Sequence, residues 1–335
     1  MQGEASQSKP PATNNRNDGN TTSSVNYALD PTSQQAKDII QGTLNLSSEQ
    51  YNQITKLSKL IVQWNDSINL ISRKDCTVDV VFGRHVLPSL ALLKLPNSPF
   101  VVSDTPASGA DTTAISIHVK YVIDVGTGGG FPGVPLAIAC PLCQFTLVDS
   151  VGKKLKVVQT IADELGLTNV QTHHGRVEDM IYLPNGNHKR KYHVCVGRSV
   201  AALPKFCSWI DQLLREENGK LVYIIGGDIE DMVASKVMTD EPLEDLLDLK
   251  GSSDKRTLVL SELSVAQIAE ESGEKRAAVV PSLKTGGTPK PRAKKVETDG
   301  PFEKPAKGEW KKKKDNSVPK QRGYEGFKRF DSRSN

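Results

Sequence analysis

The chain has no apolar run long enough to span a bilayer, and its 335 residues include only five cysteines. An odd number of cysteines in a large domain is typical of a reducing compartment rather than of a disulfide framework. The N-terminal residues lack the charged-then-apolar order of a secretory signal peptide. We therefore expect a soluble protein without membrane association, not secreted, in a cytoplasmic or organellar (plastid or mitochondrial) compartment.

Large apolar side chains are scarce at both ends of the chain. Residues 1–35 are rich in Ser, Asn, Thr, Gln and Pro, and residues 284–335 carry 16 Lys and Arg against seven acidic residues. Such segments bury too little apolar surface to offset the entropy of ordering. We predict a disordered segment 1–45, a folded domain 46–283 with a loop insertion at 96–119, and a disordered basic tail 284–335. The aromatic residues among the lysines of this tail suit binding to single-stranded RNA. The alternatives are a solvated, disordered tail and a localisation signal.

Two helices are predicted ahead of the first strand. Ser47 and Gln50 form a capping box at the start of an apolar pattern of helical period over 47–71, and a second helix runs from 78 to 95. Strands and helices then alternate, which indicates a parallel sheet covered on both faces. The predicted strands are 120–125, 144–149, 169–173, 192–196 and 219–225, with a late antiparallel pair at Leu258–Ser264 and Arg276–Val280. The predicted helices are 132–139, 152–165, 176–182, 203–215 and 229–247.

A glycine-rich turn follows the apolar run 121–123 and reads D-x-G-x-G-x-G over 124–130. The next predicted strand ends at Asp149, where the second strand of a Rossmann-like unit places a carboxylate on a ribose. We therefore predict that Asp124, Gly126, Gly128 and Asp149 hold an adenosine-type cofactor. Phe131 stands where a dinucleotide fingerprint needs a third small residue, which favours S-adenosylmethionine, a ligand without phosphates, over a nicotinamide dinucleotide.

Arg198 lies at the carboxyl end of a predicted parallel strand, the edge at which open sheets bind ligands. Its guanidinium suits a phosphate or the O6 edge of guanine, and pairing with a nearby acid is the alternative. The sequence shows no convincing pair of groups for acid and base catalysis. The single C-x-x-C at Cys140 and Cys143 lacks the further ligands that a zinc site needs, so we expect no metal.

Several motifs occur together in a characteristic order, and this set resembles the glucose-inhibited division protein B family. The motifs are Trp64–Leu70, Arg84-His85, Asp124–Gly133, Leu147–Lys154, Gly175–Glu178 and Arg198–Ala201. The resemblance implies a methyltransferase acting on guanine N7 of small-subunit (16S) ribosomal RNA with S-adenosylmethionine. It also implies an α/β, Rossmann-like class I fold, with a mainly parallel seven-stranded sheet and an N-terminal helical preface.

The resemblance assigns roles to individual residues. It implies that Gly126 and Phe131 line the cofactor pocket and that Val177 and Glu178 flank the adenine. Arg198 is then the catalytic residue between cofactor and substrate, while Arg84 and His85 are substrate contacts. Arg73 could touch RNA phosphate or lie in an exposed loop.

One position departs from the family pattern. Relatives usually carry a lysine where this chain has Ile225, just before Gly226-Gly227. This departure keeps an alternative open, a non-catalytic RNA-binding ribosome-assembly factor that retains the cofactor pocket. On either interpretation the expected partner is small-subunit ribosomal RNA or a 30S-type subunit, and nothing in the sequence argues against a monomer.

Overall fold

One seven-stranded sheet organises the computed structural model, which describes residues 28–74, 76–100, 119–183, 188–226, 231–247 and 255–273. The strands in these ranges are β1 (Lys120–Val125), β2 (Cys143–Asp149), β3 (Val170–His174), β4 (Val194–Arg198), β5 (Lys220–Gly226), β6 (Thr239–Pro242) and β7 (Lys255–Ser261). The α-helices there are α1 (Gln34–Lys37), α2 (Ser48–Asn65), α3 (Val78–Val81), α4 (Leu87–Ala91), α5 (Gly133–Ala139), α6 (Gly152–Glu164), α7 (Leu203–Ile210), α8 (Asp231–Ala234), α9 (Leu243–Leu247) and α10 (Glu262–Glu271). None of these helices is both long and apolar enough to cross a membrane.

The order of strands across the sheet is β3-β2-β1-β4-β5-β7-β6. Strands β1 to β5 are parallel, and β7 runs antiparallel between β5 and β6. The predicted Rossmann-like, mainly parallel sheet is therefore confirmed. The order reverses between β1 and β4, and open sheets bind ligands in the crevice at the carboxyl ends of the strands beside such a reversal.

The central strand β1 is covered on both faces of the sheet, and its consecutive residues supply opposite sides. Val122 packs in the apolar layer that contains α2, α4, α5 and α6, while Ile123 and Val125 pack in the layer that contains α7 and α10. Alternate side chains of a strand point to opposite faces, so a strand covered on both faces is apolar at every position. This explains why continuous apolar runs predicted β1, β2, β4 and β5 well.

Helix α2 begins at the predicted capping box. The Gln50 N–H donates to Ser47 Oγ at 3.2 Å, and the Ser47 N–H donates to Gln50 Oε1 at 2.9 Å. The helix ends at Asn65 rather than at 71, because the buried Asn65 side chain turns the chain back on itself. Its Oδ1 accepts the N–H groups of Leu70 at 2.8 Å and of Ile71 at 3.0 Å.

The first helices also correct the predicted N-terminal disordered segment 1–45. Residues 34–43 are helical, as α1 continues into a π-helix at Asp38–Thr43. Ala36 and Ile40 are fully buried, and the Tyr51 hydroxyl donates to Pro31 O at 2.8 Å, so this segment is fixed against α2. The predicted helix 78–95 is one continuous segment, with a π-helix at Phe82–Val86 between α3 and α4 and a 3₁₀ turn at Leu92–Lys94.

The end of the domain differs from the prediction in two places. The predicted helix 229–247 is interrupted: α8 and α9 lie within it, but Thr239–Pro242 between them pairs with β7 as the edge strand β6. Edge strands tolerate proline, so Pro242 does not prevent the pairing. The predicted strand Leu258–Ser264 is shifted: β7 ends at Ser261, whose Oγ accepts the N–H of Ser264 at 3.1 Å and starts α10. Arg276–Val280, most of the insertion 96–119 and the basic tail lie outside the described residues.

We predict that Asn65→Ala lowers the free energy of unfolding by about 1–3 kcal/mol, because it leaves the N–H groups of Leu70 and Ile71 without their acceptor. Denaturation with urea measures the change. Asn52 lies exposed on the same helix, and Asn52→Ala is the matched control. Equal effects of the two substitutions would contradict the anchoring role.

Candidate active site

A cleft of about 310 Å³ opens at the carboxyl ends of β1 to β4. We call it the cofactor cleft. Its lining residues are Val125, Gly126, Val148, Asp149, Ser150, Gly175, Arg176, Val177, Glu178, Arg198, Ser199, Val200 and Trp209. Five of the eight predicted cofactor residues are in this lining: Gly126, Asp149, Val177, Glu178 and Arg198.

The glycine turn after β1 forms one wall of the cofactor cleft. Gly126, Gly128 and Gly130 have φ values of +70°, +56° and +94°, which glycine adopts without strain. The Gly126 N–H donates to Val148 O at 2.9 Å, so the turn is held against β2. A Cβ atom on Gly126 would lie 2.7 Å from a methyl carbon of Val200, so a larger residue there would push two cleft walls apart.

Asp124 lies beneath this turn and not in the lining of the cofactor cleft. Its side chain is fully buried, and Oδ2 accepts the Thr127 hydroxyl at 2.6 Å and the Gly133 N–H at 2.8 Å. The carboxylate thereby joins the start of the turn to the start of α5. Burial raises its pKa to about 6, although both hydrogen bonds and the nearby Arg198 favour the charged form.

Asp149, at the end of β2, faces the cofactor cleft with a carboxylate oriented by the backbone. Oδ2 accepts the Gly128 N–H at 2.9 Å, and Oδ1 accepts the Val151 N–H at 2.8 Å. Each carboxylate oxygen can accept more than one hydrogen bond, so both oxygens retain capacity toward the cleft. Gly128 itself is not in the lining, and its backbone acts through Asp149.

The opposite wall is the loop 199–201, which a buried tyrosine of β5 holds in place. The Tyr223 hydroxyl accepts the N–H groups of Val200 at 2.8 Å and Ala201 at 3.1 Å, and it donates to Ala201 O at 2.8 Å. All hydrogen-bonding capacity of the hydroxyl is therefore used. These hydrogen bonds attach the backbone of the loop next to the cofactor cleft to β5.

Arg198 lies between the cofactor cleft and a second cleft. Its Nη2 donates to Nδ1 of His85 at 3.0 Å, and its guanidinium carbon is 5.4 Å from the centre of the Phe131 ring. Burial lowers the Arg198 pKa to about 10, which leaves the group charged at neutral pH. Burial and the charge of Arg198 lower the pKa of His85 to about 3, so His85 is a neutral acceptor. Phe131, only 3% exposed, supports these two side chains and does not line the cofactor cleft.

The second cleft has a volume of about 360 Å³, and we call it the basic cleft. Its lining residues are Ile71, Ser72, Lys74, Cys76, Val80, Arg84, His85, Arg198, Ser199 and Lys255. The structure thus brings the predicted substrate residues Arg84 and His85 together with Arg198. Arg73 is exposed and is not in the lining of either cleft.

Trp209 and Lys255 are among the lining residues that the sequence did not predict. Trp209 belongs to α7, whose apolar period predicts a buried helix without showing that one side chain reaches the cofactor cleft. Lys255 is the first of two adjacent basic residues at the start of β7, and only strand pairing brings it to the basic cleft. Among the described residues, no group of three His, Cys, Asp or Glu side chains could hold a metal ion.

Comparison with known proteins agrees with this geometry. Residues 50–239 match the family GidB, described as rRNA small subunit methyltransferase G. The chain belongs to this family. Three relatives carry the name Ribosomal RNA small subunit methyltransferase G. The protein of Cytophaga hutchinsonii is 36% identical over 56% of this chain and 80% of its own length. The protein of Christiangramia forsetii is 40% identical over 56% of this chain and 77% of its own length. The protein of Phocaeicola vulgatus is 41% identical over 56% of this chain and 78% of its own length.

Membership of the GidB family confirms the predicted family and, with the fold, the predicted cofactor, S-adenosylmethionine. The residues of the cofactor cleft fit this molecule. Asp149 offers acceptors for ribose hydroxyl groups, and Val125, Val148 and Val177 offer apolar surface. The family match ends at residue 239 and therefore does not include Lys255.

We predict that Asp124→Asn flattens the pH dependence of stability. The pKa of Asp124 is raised from 3.8 to about 6 in the folded protein. The folded state therefore keeps this proton to higher pH than the unfolded state. This contribution to stability is lost as the pH rises from about 4 through about 6, by about 3 kcal/mol in total. Asparagine has no charge to bury and keeps an oxygen for Thr127 and Gly133.

Urea denaturation across this pH range, for wild type and variant, measures the difference. Asp163 is exposed on α6, and Asp163→Asn is the control that removes a carboxylate without removing a buried charge. An unchanged pH slope in Asp124→Asn would show that Asp124 does not titrate as proposed.

Proposed function

We propose that this protein methylates N7 of a guanine in small-subunit ribosomal RNA. The observation that carries the proposal is the position of Arg198, which lines both the cofactor cleft and the basic cleft. A residue common to the two clefts is suited to aligning a base with the methyl donor. S-adenosylmethionine, when bound, supplies an electrophilic methyl group on its sulfonium sulfur.

Guanine N7 has a lone pair in the plane of the ring and no proton to lose, so its methylation needs no general base. The site agrees with this requirement, because His85, with a pKa of about 3, is neutral and its Nδ1 already accepts a hydrogen bond from Arg198. The protein's contribution is to position the base and exclude water, which can supply about 7–11 kcal/mol of the barrier.

The proposed roles follow from the two linings. Asp149 holds the ribose, Val177 and Glu178 flank the adenine, and Gly126 lines the cofactor pocket. Three predicted cofactor residues act indirectly. Asp124 holds the glycine turn, the Gly128 N–H holds Asp149, and the Phe131 ring supports Arg198. On the other side, the Arg198 guanidinium faces the O6 edge of the guanine or its phosphate, and Arg84 contacts RNA.

We further propose that the protein acts as a monomer, because one chain supplies the lining residues of both clefts. Its five cysteines are free thiols, which suits a reducing, ribosome-containing compartment. The non-catalytic alternative predicts subunit binding without methyl transfer. Labelled S-adenosylmethionine with small subunits that lack the methyl group distinguishes the two, and nucleoside mass mapping locates the product.

We predict that Asp149→Asn weakens S-adenosylmethionine binding about 10- to 100-fold, because charged hydrogen bonds of about 1.5–3 kcal/mol are lost. Isothermal titration measures the dissociation constant. The exposed-site variant Asp163→Asn, also a loss of one carboxylate, should bind like wild type. Equal affinities of the two variants would contradict the ribose-binding role.

We predict that Arg198→Lys reduces methyl transfer about 10- to 100-fold at saturating cofactor, since one charged hydrogen bond is lost. A lysine cannot donate to His85 and also lay a planar group over the Phe131 ring. The exposed pair Arg215 and His193, joined at 3.1 Å, offers Arg215→Lys as a matched control with full activity. A fully active Arg198→Lys enzyme would refute the alignment role.

A further inference from the structure

The basic cleft is assembled from four separate parts of the chain. The loop after α2 provides Lys74, the π-helix between α3 and α4 provides Arg84 and His85, the end of β4 provides Arg198, and the start of β7 provides Lys255. Three of these parts carry residues that the sequence analysis had connected with RNA. The fourth, β7, enters the site only through the fold.

Strand pairing explains why Lys255 reaches this edge of the sheet. Because β7 is antiparallel to β5, its first residue lies beside the last residue of β5, and Lys255 pairs with Gly226. Arg198 pairs with Ile224 on the other side of β5. The start of β7 and the end of β4 therefore lie at the same edge, which is the edge of the proposed active site.

The next residue of β7 has a different environment. Arg256 donates from Nε to Asp240 Oδ1 of β6 at 2.7 Å, and it is not in the lining of the basic cleft. Adjacent side chains of a strand point to opposite faces, so Lys255 and Arg256 separate in this way. Lys255 is thus the cation of β7 that faces the basic cleft.

The charge of Lys255 acts on His85, the residue that accepts the hydrogen bond of Arg198. After burial, the charges of Arg198, Lys255 and Arg84 all lower the pKa of His85, with Lys255 second among the three. These cations act together on the space next to Arg198. A cleft with this charge favours an anionic ligand, and RNA presents a phosphate at every nucleotide.

We propose that Lys255 binds a backbone phosphate of the RNA strand beside the guanine held at Arg198. This inference rests on the proposed function, and it adds a substrate contact that lies beyond residues 50–239, where the family match ends. It also bears on Ile225, which pairs with Arg256 and precedes Gly226. The chain has no lysine at 225. On the neighbouring strand β7, however, Lys255 lies opposite Gly226, the residue that follows Ile225.

The test compares Lys255→Gln, Lys255→Arg and Lys59→Gln with wild type. Glutamine keeps much of the side-chain length and removes the charge, arginine restores the charge, and Lys59 is an exposed lysine outside both clefts. The probe is purified small ribosomal subunits that lack the methyl group, titrated at several salt concentrations with S-adenosylhomocysteine present. Urea denaturation and cofactor titration check that each variant is folded.

We expect Lys255→Gln to bind the subunits about 10-fold more weakly, as loss of one charged hydrogen bond implies. The slope of log affinity against log salt concentration should become shallower by about 0.7 to 0.9, because one fewer phosphate is neutralised. Lys255→Arg should stay within about 3-fold of wild type, and Lys59→Gln should match wild type, since only the charge at the cleft matters. Cofactor affinity should be unchanged in all variants.

The inference and the proposed function can fail separately in this experiment. Equal subunit binding by Lys255→Gln and Lys59→Gln would overturn the phosphate contact, even if the wild type is fully active. Weakened binding with an unchanged salt slope, or failure of Lys255→Arg to restore binding, would also overturn it. Wild type that binds subunits but transfers no methyl group refutes the proposed function, while the binding data still decide the role of Lys255.

Discussion

The Asp124 carboxylate beneath the glycine turn is the interaction on which the rest of the site depends. One oxygen accepts both the Thr127 hydroxyl and the Gly133 amide, and so fixes the path of the chain from β1 into α5. Burial destabilises the charged form of the Asp124 carboxylate, and its pKa is raised for that reason. In return the turn presents the Gly128 amide to Asp149, and two carboxylates on adjacent strands become one rigid unit.

A second constraint links the helical preface to that unit. The backbone that Asn65 anchors lies directly against the turn, since a Cβ on Gly129 would be 3.3 Å from Leu70 and Ile71. The preface also supplies His85, which accepts the hydrogen bond of Arg198. The cofactor cleft and the basic cleft are therefore joined by this packing and by the hydrogen bond between Arg198 and His85. Methyl transfer needs this kind of alignment, because positioning is the main contribution of the protein.

The sequence predicted those features whose physical cause is local. Continuous apolar runs identified β1, β2, β4 and β5 within two residues, because strands buried on both faces have no polar side. The capping box predicted the start of α2 correctly, because its hydrogen bonds join residues only three apart in the chain. Strand β6 was missed, because Thr239–Pro242 is a strand only by pairing with β7.

The sequence by itself determined the family, the Rossmann-like fold, the cofactor and the two strands that carry Asp124 and Asp149 near their carboxyl ends. Each of these features follows from a motif that is contiguous in the chain. Only the tertiary structure decided which of the predicted residues line a cleft. It placed Asp124 and Phe131 behind the walls, and Asp149 and Arg198 on them. It also brought Lys255 to the basic cleft through an antiparallel strand pair. The physical reason is that the direction of a side chain depends on the elements packed around it, which lie far away along the chain.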